Sequence, residues 1–166
     1  MRVWILCAFG LWFAAPAWAS SCDSVTDPDQ RNLCRAKSEE KSYLCASITD
    51  SDLRNYCRAV TEPTTTWCAS IQDSDLRNRC RGESEAAIAR KKGSSSSSSS
   101  SCSSISDSDQ RYMCRAIVDD DASLCSSIRS SDQRYFCKAK VDKSTSPCSS
   151  ISDSDLRNRC RAEATK

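Results

Sequence analysis

Six times along this chain a lone branched apolar residue opens the same short pattern. Val25, Ile48, Ile71, Ile105, Ile128 and Ile151 each precede a polar stretch, then an amphipathic run that ends in cysteine and a basic residue. In the second copy the apolar positions are Leu53, Tyr56, Cys57 and Val60. That i, i+3, i+4, i+7 spacing predicts one buried stripe on a helix. The residues ahead of the stripe are helix-start residues. Asp27 followed by Pro28 fits an N-cap and first helical position, and Asp50, Asp73, Asp107, Ser130 and Asp153 stand at the matching places. Two residues on, Asp29, Asp52, Asp75, Asp109, Asp132 and Asp155 fall at the positive end of the helix dipole. Arg35, Arg58, Arg81, Arg115, Lys138 and Arg161 follow the cysteine, where a cation suits the other end. The pattern predicts a helix of about ten residues in each copy. An earlier cysteine in each copy, in segments such as "SYLCASI" and "TTWCASI", marks a second, shorter helical turn. Helices this short are marginal alone and need a partner.

The copies are regular. Cysteines fall at 22, 34, 45, 57, 68 and 80, then at 102, 114, 125, 137, 148 and 160, spaced alternately by 12 and 11 within each group. The expected fold is all-α: six disulfide-stapled helical hairpins of about 23 residues, in two groups of three. Ser94–Ser101 is unbroken serine with nothing to bury, so 91–101 is expected to be a linker between repeat modules at 20–90 and 102–166. The residue before the second cysteine runs Leu33, Tyr56, Arg79 and then Met113, Phe136, Arg159. Apolar twice and then arginine suggests stacked units whose last member faces water, with Arg79 and Arg159 as end caps.

Residues 1–19 hold one arginine, an apolar run from Val3 to Ala15 and the small-residue pattern Ala17-Trp18-Ala19. This is the layout of a cleavable export signal, and its apolar run is shorter than the roughly 20 residues of a membrane span. A lipid anchor at Cys22 would want a leucine three positions earlier, and Ala19 stands there. Loss of Cys7 with the signal turns 13 cysteines into an even set. An exported chain with such a set is a disulfide framework, in the periplasm or outside the cell. The serine insertion leaves every C-x11-C intact, which favours Cys22–Cys34, Cys45–Cys57, Cys68–Cys80, Cys102–Cys114, Cys125–Cys137 and Cys148–Cys160. Pairing across units would strand Cys22 and Cys160.

A net charge of only +2 suggests neither nucleic acid nor an acidic membrane surface as partner. The "DSD" of the second copy is no calcium loop, because positions 6 and 12 counted from Asp50 hold Asn55 and Thr61 instead of glycine and glutamate. Arg31, Arg54, Arg77, Arg111, Arg134 and Arg157 recur at the fourth helical position. They form a candidate interaction ladder, against the plainer reading that each pairs with its cap aspartate or a neighbouring unit. With no histidine there is no ordinary hydrolytic triad, and three glycines supply no phosphate loop. The wide cysteine spacing is unlike that of a zinc or copper site, and no cofactor is suggested.

The stretch "SYLCASITDSDLRNYCRA", residues 42–59, resembles the short "SYCxSIxDxDLxxxCxA" repeats of exported or toxin-linked bacterial proteins whose function is uncharacterised. The resemblance covers all six copies and implies export without implying an activity. The expectation is therefore a non-enzymatic exported repeat protein that binds another protein or a cell-envelope component. The alternative is a thiol-rich protein that binds metal or buffers redox state.

Overall fold

A computed structural model describes residues 21–93 and 99–165. The expected leader at 1–19 and the central serines at 94–98 lie outside the described residues. The fold is all-α, with six disulfide-stapled units and no strand among the described residues. The main helices are α1 (Pro28–Glu39), α2 (Ser51–Thr61), α3 (Ser74–Lys91), α4 (Ser108–Asp119), α5 (Ser131–Val141) and α6 (Ser154–Glu163).

Each main helix begins where its cap signal stands. Asp27, Asp50, Asp73, Asp107, Ser130 and Asp153 all accept a hydrogen bond from the backbone N–H three residues on. Such a cap contributes about 1 kcal/mol. The lead-in turns are tight 3₁₀ pieces at Ser42–Ser47, Trp67–Ser70, Ala122–Ser127 and Ser146–Ser150, and one α-helical turn at Ser100–Ser103. All six bridges join the two cysteines of one unit, with Cα–Cα separations of 5.6–5.7 Å. Closing so short a loop is worth roughly 3 kcal/mol per bridge on the chain-entropy account. Val25 and the five matching isoleucines are each 1% exposed, so the lone apolar residue of each unit is fully spent on the core.

The units pack side by side, α1 on α2, α2 on α3, α4 on α5 and α5 on α6. Two further contacts join the groups: α3 packs on α4 across the serine tract, and α6 packs on α1. The six helices form a closed ring. The end-cap expectation is therefore corrected. Arg79 and Arg159 side chains are 19% exposed, and each guanidinium lies over an aromatic ring of the preceding unit. Arg79 is 5.3 Å from the centre of Tyr56 and Arg159 is 5.8 Å from that of Phe136. No main helix has a free outer side for a cap to cover, because the faces expected to meet water meet each other.

The joints are built by the aspartate at the second position of each helix. Asp29 accepts from the backbone N–H groups of Thr49 and Asp50, the two residues that lead into α2. Asp52, Asp75, Asp109 and Asp132 treat the following unit in the same way. Each of these five carboxyls is held below the usual carboxylate range, chiefly by those backbone donors.

Candidate functional site

The residue before each second cysteine and the residue four places later both lie toward the inside of the ring. The first set is Leu33, Tyr56, Arg79, Met113, Phe136 and Arg159; the second is Lys37, Val60, Glu83, Ile117, Lys140 and Glu163. One helical turn separates the two sets, so they make two stacked layers. At the level of the second layer lies a cavity of about 360 Å³. Its floor includes Arg79 and Phe136, its wall all six residues of the second layer, and its mouth Glu40, Pro63, Arg90, Lys91, Asp120 and Lys143.

The wall is a charge network. Lys37 Nζ lies 2.9 Å from a Glu163 carboxylate oxygen, and that carboxylate is 1% exposed. Arg159 approaches the other oxygen at 3.6 Å. Arg79 Nε donates to Glu83 at 2.8 Å, and the Tyr56 hydroxyl donates to the same carboxylate at 2.7 Å. Burial alone would raise both glutamates. Arg79 and Lys37 outweigh it at Glu83, and Lys37, Arg159 and Lys140 outweigh it at Glu163, so each carboxyl lies at about 2. Lys37 moves up from the usual lysine range, because Glu163 overcomes its burial.

Lys140 differs. Its ammonium donates to the Glu163 backbone carbonyl at 2.8 Å, and no carboxylate of the described residues lies within ion-pair distance. Burial, helped by the charge of Lys37, pushes it down to about 8.

The backbone at the mouth is strained. Glu40, Asp120 and Lys143 hold φ values of 55°, 55° and 50°. An L-residue in this left-handed region costs roughly 1 kcal/mol relative to glycine. All three of these positions line the cavity, and each bears a charged side chain where glycine would relieve strain.

The recurrent arginines are placed elsewhere. Arg54 donates to the carbonyls of Ile48 and Thr49, and Arg31, Arg77, Arg111, Arg134 and Arg157 do the same in their own units. They brace the bend between lead-in turn and helix instead of pairing with the cap aspartate. All twelve cysteines of the repeats are in bridges and fully buried. Sequence reasoning missed the cavity residues Lys37, Glu83, Lys140 and Glu163. A signal was present: each follows by four the variable position that had been singled out, and four residues is one helical turn.

Among the described residues no helix is long and apolar enough to cross a membrane. No protein-family model matches this chain, and no curated protein or solved structure matches it.

Proposed function

We propose that this protein is an exported, non-enzymatic binding module whose recognition element is the cavity at the centre of the ring. Six buried bridges support export to an oxidising compartment, periplasmic or extracellular, because such bonds form and persist there. They also weigh against the thiol-rich alternative, which needs free thiolates to bind metal or exchange electrons. The resemblance to short cysteine repeats of exported bacterial proteins fits the same reading. The natural partner is a cell-envelope component or another exported protein that offers a small group to the cavity.

The observation that carries the reading is the cavity itself, about 360 Å³, where the apolar side chains of Val60, Ile117, Phe136 and Val141 stand among the charged groups of Lys37, Glu83, Lys140 and Glu163. Its volume falls within the range of small-molecule sites, which starts near 300 Å³. Native mass spectrometry of the exported protein tests it. Unliganded protein should weigh about 12 Da less than the reduced chain, two hydrogens for each bridge. A non-covalent adduct of up to a few hundred daltons is expected, a size that suits such a site. Val141→Trp, which fills the cavity wall, should lose the adduct. An adduct that survives this change, or a chain with free thiols, would sink the reading.

A further inference from the structure

We propose that the cavity takes a small organic anion with an apolar body, its charged group seated on Lys140. This rests on the cavity being the binding element. The inner network holds four cations, Lys37, Arg79, Lys140 and Arg159, against two carboxylates, Glu83 and Glu163. Both carboxylates already have cations beside them: Glu83 accepts hydrogen bonds from Arg79 and Tyr56, and Glu163 is ion-paired with Lys37 at 2.9 Å and, more loosely, with Arg159 at 3.6 Å. Lys140 is left with a neutral carbonyl as its hydrogen-bond acceptor, and an ammonium has three donors.

The mouth carries the same imbalance. Arg90, Lys91 and Lys143 face Glu40 and Asp120 there. Burial and the charge of Lys37 push the half-buried Lys140 down, the more distant Glu163 and Glu83 offset them only in part, and a bound anion would reverse the shift. Val60, Ile117, Phe136 and Val141 supply an apolar wall beside the ammonium. Inorganic phosphate or chloride would leave that wall wet, whereas an alkyl or aryl carboxylate or phosphate ester would cover it.

The probes are octanoate, octyl phosphate and the neutral isostere octanamide, titrated calorimetrically into the oxidised full chain. Wild-type protein should bind at least one anion tenfold or more tightly than the amide. Lys140→Met should remove that advantage, so that anions and amide bind alike, and Lys140→Arg should retain most of it. The ratio of octanoate to octyl phosphate affinity shows which headgroup the site prefers. Equal binding of anions and amide, or an anion advantage that survives in Lys140→Met, overturns the anion proposal while leaving the cavity as the binding element. No binding by any probe overturns both.

Discussion

Asp155 accepts hydrogen bonds from the backbone N–H and the hydroxyl of Thr26, at 3.0 and 3.1 Å, across 129 residues of chain. These bonds make the last unit the neighbour of the first. They use the aspartate that joins every other pair of units, so closure needs no special device. Asp155→Ala should remove this joint and cost about 1–2 kcal/mol, the range for exposed charge-assisted hydrogen bonds. Urea melts with disulfides intact measure the cost, and small-angle scattering should detect any opening. An unchanged midpoint and radius would mean that closure contributes nothing to stability.

Cleavage at a protease site placed in the serine tract should separate covalent from non-covalent cohesion. Every bridge lies within a unit, so two fragments should run apart on a denaturing gel without reductant. The packing of α3 on α4 and of α6 on α1 should hold the same fragments together in native sizing. Two native half-size species would show that the ring is held shut by its tether.

Stability should respond to pH in two windows. Glu83 and Glu163 have carboxyls lowered from 4.5 to about 2, so their contribution is complete above about pH 5 and is lost as pH falls toward 2. Lys140 runs the other way. Its folded value near 8 lies below the ordinary 10.5, so between those values the unfolded chain binds more protons and stability rises with pH. Lys140→Met should raise stability at pH 7 by on the order of 2 kcal/mol and abolish the rise between pH 8 and 10. Melts of both proteins over that range decide it. A Met variant that is less stable than wild type at pH 7 contradicts the assignment.

Gly82 stands where the other five units have alanine. A Cβ there would lie 2.9 Å from Cys102 Sγ and 3.2 Å from Cys114 Sγ, and a bridged sulfur cannot move aside. Gly82→Ala should therefore cost about 1–2 kcal/mol through overpacking, despite the better helix propensity of alanine. Thermal melts should show a lower midpoint. A higher one would mean that the α3–α4 joint is no tighter than the others.

What could be read from the letters were interactions closed within one unit. Asp50 meets the Leu53 N–H three residues away, Cys45 meets Cys57 twelve away, and Ile48 sits at the bend between them. Each is a local geometric necessity of starting a helix and pinning it back, so cap, bridge and buried isoleucine were legible before any fold. The roles of Asp52, Arg79, Lys140 and Glu163 were not. Asp52 meets the backbone N–H groups of Gln72 and Asp73, 20 and 21 residues on, and Lys140 meets the carbonyl of Glu163 in the next unit. Both depend on the angle between neighbours, which no single unit encodes. A rotation of roughly 60° per unit brings the sixth copy back to the first, whereas a different angle would leave an open solenoid with two exposed ends. The same letters would then have made Arg79 and Arg159 end caps. Side-by-side packing sets that angle, and only the closed tertiary structure turns six identical staples into a walled, charged cavity.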